Sequence, residues 1–329
     1  MKNLITYLES KLEKVKYKIN PDNFTYLGIN IKRDRSSNLI SLSQQSYAQK
    51  IVDSYLPEDS LTSTYPLNMD NIKDGKALDP ENNPIYKIMG QLRYLADRTR
   101  SDLLYPVNYL SRFMHAPSSA LTEEVFRLIR YLKHTINHEL VLGGKELSLY
   151  AMTDASFIHT DEGRSQLGYA IYLSIRSGCI SAFSKRADSV ALSSTQSEVD
   201  AVVETLKELI WFQGFLESIN INLDKPTLVL VDNQPAVTLA NDGNNLKKSK
   251  HFLIKTEFIK QERQRGNFYI QHVMGTHNHS DIFTKALIGY LLKFHTSGIL
   301  GHFLLQDKLN DVEECISELQ QNQYDDVED

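Results

Sequence analysis

The chain has 329 residues, 41% of them apolar, enough to bury the cores of two domains of ordinary size. Its net charge is −5, and its two cysteines, Cys179 and Cys315, are too few and too far apart for a disulfide framework or a zinc site, which points to a reducing, intracellular setting. No apolar run approaches the roughly 18 residues of a membrane span, so no membrane partner is expected, and the N-terminus lacks the continuous apolar stretch of a secretory signal.

The negative charge is unevenly spread. Residues 306–329 hold nine acids against one lysine, which leaves +3 on the rest. Positive charge gathers in 1–36 and in 247–265, where "KKSKHFLIKTEFIKQERQR" has seven Lys or Arg against two Glu. Such stretches can neutralise phosphates, or can be solvated helix faces.

In chain order, "MKNLITYLESKLEKVKYK" has the pattern of an amphipathic helix. "FTYLGINI" (24–31) alternates as a strand, "KRDRSSN" turns, and "LISLS" completes a hairpin. "QQSYAQKIVDSYL" is a helix with Tyr47, Ile51 and Tyr55 four apart. The stretch 57–84, with Pro57, Pro66, Pro80 and Pro84, reads as a linker. Helical patterns follow at 85–97, 102–113 and 120–135; in the last, Leu121, Val125, Leu128, Ile129 and Leu132 mark one face.

The pattern changes near residue 146. "LSLYAMTD" is a strand ending at Asp154, and "SQLGYAIYLSI" and "CISAFSK" are two more, joined by a tight "RSG" turn. A helix opens at "SSTQSE". "TLVLVD" is a buried strand ending at Asp232, "NQPAVTLA" starts a short helix, a basic helix covers 249–264, "FYIQHV" is a strand, and a last helix opens near "HSDIFTKAL". Antiparallel hairpins followed by helical crossovers favour a mixed sheet with helices packed on it, an α/β (α+β) architecture.

Four acids stand out. Asp154 and Asp232 end apolar strands, where α/β sheets gather their sites, although a strand-end Asp also serves as a turn or cap. Asp281 begins a helix, where an acid also suits the dipole. Thr195-x-x-Glu198 reads as a capping box. At 100° per residue, Val199, Val202, Val203, Leu206, Leu209 and Ile210 cover an arc of about 20° to 140° from Glu198, while Asp200, Glu204 and Glu208 fall at about 200°, 240° and 280°. Glu198 is thus the acid of this helix poised to look back at the sheet. Clustered carboxylates repel unless a cation neutralises them, and an all-oxygen set suits Mg²⁺ or Mn²⁺. Two such ions about 4 Å apart can activate a water and stabilise the leaving oxygen of a phosphodiester.

"YAMTDASF", "RSQLGY", "ALSSTQSEVDAV", "LVDNQPAV", "KHFLIKTEFIKQ" and "HSDIFTKAL", in that order, resemble the ribonuclease H domain of copia-type retrotransposon polyproteins. "YLGINIKRD", "LSQQSYAQKIV", "YKIMGQLRYLADRTRSDLLYPVNYLSRFM" and "RLIRYLKHT" resemble that family's reverse transcriptase downstream of its active site. The likeness runs from about residue 24 to 305. It implies a ribonuclease H-like mixed five-stranded sheet flanked by helices, preceded by a mainly helical thumb and connection region with a β-hairpin. The implied divisions are 1–70, a primer-grip-like hairpin and thumb start; 71–145, helical thumb and connection; 146–290, the ribonuclease H-like domain; and 291–329, a C-terminal helix and acidic tail.

The resemblance implies metal binding by Asp154, Glu198, Asp232 and Asp281, with two Mg²⁺ ions (Mn²⁺ as a substitute). The implied reaction is hydrolysis of the RNA strand of an RNA–DNA hybrid. Ser194, Thr195, Asn233 and Gln234 flank these acids; they either touch the hybrid's minor groove or cap helices. Lys247, Lys248 and Lys250 are further candidates for nucleic-acid contact. His277 and His279 precede Asp281 as candidates for proton transfer, or as solvated loop residues. The implied setting is the cytoplasm, within a virus-like particle, or the nucleus.

Departures from the family pattern are informative. The polymerase carboxylates, expected in a Tyr-x-Asp-Asp hairpin just before residue 1, are absent, so polymerase activity is not expected from this chain. Tyr324, Asp325 and Asp326 echo that motif only superficially, in an acidic tail without flanking strands. The family's Arg-Pro-Asp is Arg100-Ser101-Asp102, and its Leu-Lys-Gly-Thr is Leu132-Lys133-His134-Thr135. The expectation is the C-terminal part of a polyprotein. Its readings are an active ribonuclease H, an inactive remnant that only binds nucleic acid, or a subunit completed by the remainder of a reverse transcriptase.

Overall fold

The N-terminal hairpin is tighter than its sequence suggests. In the computed structural model, which describes residues 22–70, 72, 75–79, 83–144, 147–157, 163–223, 226–242 and 250–302, "FTYLGINI" is two strands rather than one. β1 (Asn23–Tyr26) and β2 (Ile29–Asp34) pair antiparallel around Leu27 and Gly28, both at positive φ. Two consecutive left-handed residues form the two-residue turn that suits strand twist. Gly28 adopts it without a Cβ penalty, and the Tyr94 hydroxyl donates to the Leu27 carbonyl at 2.6 Å. β3 (Leu39–Ser43) pairs with β2, and on its other edge with β4 (Leu140–Gly143). At four residues, β4 is too short to show a period, and the sequence pattern does not reveal it.

Among the described residues between β3 and β4 lie four helices: α1 (Gln45–Tyr55), α2 (Ile85–Ala96), α3 (Leu104–Ser111, after a 3₁₀ turn at Ser101–Leu103) and α4 (Ser119–His134). The Ser118 hydroxyl accepts from the Leu121 N–H at 3.1 Å and starts α4. Leu121, Val125, Leu128, Ile129 and Leu132 are fully buried, as their spacing predicts. The two motifs that depart from the family pattern meet here. Buried Arg100 donates to both Asp102 oxygens, at 2.9 and 2.8 Å, and to the Thr135 carbonyl and hydroxyl. Tyr131 adds a third donor to Asp102 at 3.0 Å. Burial alone would raise the Asp102 carboxyl, but the Arg100 guanidinium outweighs it and holds the acid below its ordinary value. The substituted positions, Ser101 and His134, are not members of this network.

The second sheet has the order β7-β6-β5-β8-β9. β5 (Tyr150–Ser156), β6 (Gln166–Tyr172) and β7 (Ser181–Arg186) form an antiparallel meander; β8 (Thr227–Val231) and β9 (Phe268–His272) add in parallel beside β5. The crossovers are α5 (Ser194–Ser218) before β8, and α6 (Gln234–Asp242) with α7 (Lys250–Gln264) before β9. This is a mixed five-stranded sheet flanked by helices, the architecture that the resemblance implies. Both faces are covered. Tyr150, Met152, Leu228 and Leu230 join the core of α1–α4, while Ala151, Val229 and Val231 join Val199, Val202 and Leu206 of α5. Burial on both sides explains why "LVLV", after Thr227, is continuously apolar.

After β9, "HSDIF" is a 3₁₀ turn (His279–Phe283), and the last helix, α8 (Gly289–Leu300), begins later than expected. The turn is pinned by Asn278, whose amide donates to the Thr153 carbonyl at 2.9 Å while its oxygen accepts from the Ser280 N–H at 3.2 Å. Local side-chain bonds of this kind compete with helix propagation. The amphipathic N-terminal pattern, Lys247, Lys248 and the acidic 306–329 tail lie outside the described residues. Among the described residues no helix is long and apolar enough to cross a membrane.

Candidate active site

Thr153 of β5 and Val231 of β8 are partners in the parallel ladder, so Asp232, just past the end of β8, lies beside Asp154, which is inside β5 rather than at its expected end because pairing with β6 carries the strand on to Ser156. Glu198 approaches from the first turns of α5. One carboxylate oxygen from each of Asp154, Glu198 and Asp232 lies within 4.8 Å of the other two. Asp281, on the 3₁₀ turn, reaches the group through Lys285. The Lys285 ammonium is 2.8 Å from Asp281 Oδ1 and 3.4 Å from Asp154 Oδ1. Thr284 donates its hydroxyl to the other oxygen of Asp154.

Glu198 is not occupied with capping. The cap sits two residues upstream of the expected box: Ser193 Oγ accepts from the Gln196 N–H at 3.2 Å, and Gln196 Oε1 accepts from the Leu192 N–H at 3.0 Å. Ser193-x-x-Gln196 is itself a Ser-x-x-Gln pattern, a signal overlapping Thr195-x-x-Glu198 and hidden by it. Glu198 is 4% exposed, and its Oε2 has no hydrogen-bond partner among the described residues.

The electrostatics are those of crowded, buried anions. Burial, then the charges of Asp154 and Asp232, push the Glu198 carboxyl up to about 10. Burial and Asp154 raise Asp232, and they push Asp281 up to about 7 against the lowering effect of Lys285. Burial would lower the Lys285 ammonium, but Asp154 and Asp281 raise it above its ordinary value. An all-oxygen cluster with an orphaned buried oxygen fits a hard divalent cation. Asp154, Glu198 and Asp232 could hold one together, and Asp281 borders them.

Other expectations are corrected. Asp200 is on the far side of α5, yet it is buried and pairs with Lys255 of α7 at 2.7 Å, because α7 covers that face. Ile210, expected in the buried arc, is 38% exposed. His279 is 3% exposed rather than solvated; its Nδ1 lies 3.1 Å from His295 Nδ1, and burial holds it well below its ordinary value. His277 is half-buried. Asn233 does cap a helix, its side-chain oxygen accepting from the Ala236 N–H at 2.9 Å. Ser194 and Gln234 are exposed and Thr195 is half-buried. The side chain of Lys250, like Lys247 and Lys248, is outside the described residues; its backbone opens α7.

Two contributors escape the motif pattern. Lys285 is four residues from Asp281, a spacing that signals an ion pair on a helix turn. Gly168 of β6 faces Asp154 across the ladder, and a Cβ there would lie 2.7 Å from Phe283 Cβ and 2.9 Å from Thr284 Cγ2.

No protein-family model matches the chain. It is 36% identical over 202 residues to the retrovirus-related Pol polyprotein from transposon RE1 of Arabidopsis thaliana, covering 61% of this chain and 14% of that protein. The Pol polyprotein from transposon TNT 1-94 of Nicotiana tabacum is 29% identical over 271 residues, covering 79% of this chain and 20% of that one. An uncharacterized mitochondrial protein of Arabidopsis thaliana is 34% identical over 192 residues, 56% of this chain and 77% of its own length. The chain belongs to the copia-type retrotransposon Pol family. It spans a fifth or less of the Pol polyproteins it matches. Among solved structures, LC11-RNase H1 in complex with an RNA/DNA hybrid is 19% identical, with a TM-score of 0.34 over 43% of this chain and 96% of that one. The foamy viral protease-reverse transcriptase in complex with RNA/DNA hybrid is 12% identical, with a TM-score of 0.42 over 77% of this chain and 29% of that one.

Proposed function

We propose that this Pol segment is a divalent-metal-dependent endonuclease that hydrolyses the RNA strand of RNA–DNA hybrids, the ribonuclease H part of a reverse transcriptase. The supporting observation is the convergence of Asp154, Glu198 and Asp232 from three separate elements within 4.8 Å, with a Glu198 oxygen buried and without a partner among the described residues. Such a cluster is costly for folding unless a cation completes it.

In this reading Asp154, Glu198, Asp232 and Asp281 hold two Mg²⁺ ions, with Mn²⁺ as a substitute. Bound there, the ions supply Lewis acidity to the scissile phosphate and lower the pKa of an attacking water. The chain's own residues do the positioning. Thr284 and Asn278 hold Asp154 and its strand in place, and the Ser193 cap leaves Glu198 free to face its partners. Ser194, Thr195, Asn233 and Gln234 flank the acids, where 2′-hydroxyls distinguish RNA from DNA. His277, half-buried in the loop before Asp281, is the remaining candidate for proton transfer.

The test is hydrolysis of a labelled RNA–DNA hybrid in Mg²⁺ by wild type and Asp232→Asn. Wild type should cut the RNA strand, and the variant should be slower by about a hundredfold or more. RNA left intact by both, across metals and salt concentrations, sinks the enzyme reading. A gel shift that weakens with salt would then favour the reading of a nucleic-acid-binding remnant.

A further inference from the structure

We propose that Lys285 is the protein's own placeholder for the second divalent ion, and that it sets that ion's affinity by competing for Asp154 and Asp281. The inference rests on the metal-dependent reading above. Three observations carry it. First, the four acids are not equivalent: Asp154, Glu198 and Asp232 converge on each other, whereas Asp281 joins them only across the Lys285 ammonium, 2.8 Å from Asp281 and 3.4 Å from Asp154. Second, both oxygens of Asp154 are engaged by neighbouring residues of one turn, Oδ2 by the Thr284 hydroxyl and Oδ1 by Lys285. A cation shared by Asp154 and Asp281 needs the position that this ammonium takes. Third, the Lys285 side chain is 38% exposed, so it has a route out to solvent.

The ordinary role of a lysine four residues after an aspartate is a local surface pair. Lys285 differs in bridging two carboxylates from distant parts of the chain, one of them 2% exposed. Its charge offsets part of the repulsion that the acids would suffer without metal. The same contact works against an ion on the Asp154–Asp281 side, while the Glu198–Asp232 side carries no such competitor among the described residues. Two ions should therefore bind in sequence, the first at Asp154, Glu198 and Asp232, the second with displacement of Lys285.

The experiment is a Mn²⁺ titration of the full chain, with free ion followed by electron paramagnetic resonance. Wild type should bind two ions of unequal affinity. Lys285→Met should tighten the weaker ion by about fivefold or more and leave the stronger within a factor of about two, while Lys285→Arg keeps the gap. Two ions of unchanged affinity in Lys285→Met overturn the placeholder role alone. No bound ion in wild type overturns it together with the metal-dependent reading. Should Lys285→Met fail to fold, wild type decides. Acetylation of Lys285, read by mass spectrometry, should rise at saturating Mn²⁺ while Lys207, an exposed residue of α5, stays constant. A Lys285 reactivity that ignores Mn²⁺ overturns the proposal.

Discussion

Gly168 and Asp154 face each other across the β5–β6 ladder, and the room that a side chain at Gly168 would take is filled by Phe283 and Thr284. The contact explains how the turn carrying Asp281 comes close enough to hand a hydroxyl to Asp154. Gly168→Ala should push that turn outward. Hybrid cleavage should fall by about tenfold or more, and stability by about 1–3 kcal/mol through overpacking. Cleavage and urea unfolding at wild-type levels would show that the turn moves without consequence.

Metal-free stability should depend on pH with a definite sign. Burial and neighbouring acids push Glu198 up to about 10 and Asp281 up to about 7, so the folded state binds more protons than the unfolded one as pH rises past the usual carboxylate range. Stability then falls with rising pH. Buried histidines oppose this lower down: burial pushes His138 and His295 to about 4, and stability rises with pH until the ordinary histidine range is passed. Above about pH 7 the carboxyls are left to act. In EDTA the melting temperature should drop between about pH 7 and about pH 9, Mg²⁺ should remove most of the drop, and Glu198→Gln should flatten it. A flat or rising profile for wild type in EDTA contradicts this account.

The helix cap offers a sharper discrimination. Ser193→Ala removes the acceptor for the Gln196 N–H and should cost about 1 kcal/mol in urea unfolding. Thr195→Val should leave stability within about 0.5 kcal/mol, since no capping bond is made there. Reversed effects would restore Thr195-x-x-Glu198 as the working cap and tie Glu198 to it.

Asp102 accepts from Arg100 and Tyr131 in full burial. Asp102→Ala strands the guanidinium and should cost about 3–5 kcal/mol. Replacing Arg100 and Asp102 together by apolar residues should cost less than the single change, read as melting temperature. Equal losses would mean that packing, not charge, holds the site.

Strong periodicity and continuous burial made much of the fold legible. The stripe Leu121-Val125-Leu128-Ile129-Leu132 and the run "TLVLV" each announce their element, and an acid closing an apolar run gave Asp154 and Asp232 away, although only Asp232 follows the end of its strand. What stayed hidden depends on partners distant in sequence. Asp200 fell outside the apolar arc, and nothing on α5 reveals that α7 covers it. Gly168 carries no chemistry to notice, and Lys285 becomes interesting only once Asp154 is beside it. The late start of α8 followed from Asn278 bonding to Thr153, a contact between distant segments.

β4 has a consequence for synthesis. Until Leu140–Gly143 leaves the ribosome, β3 has no neighbour on that side, and its backbone donors and acceptors stand open through the making of α1 to α4. An unsatisfied strand edge can pair with the same edge on another nascent chain. Expression that yields aggregates on slow translation, and soluble protein when a segment carrying β4 is supplied early, would trace the hazard to that edge.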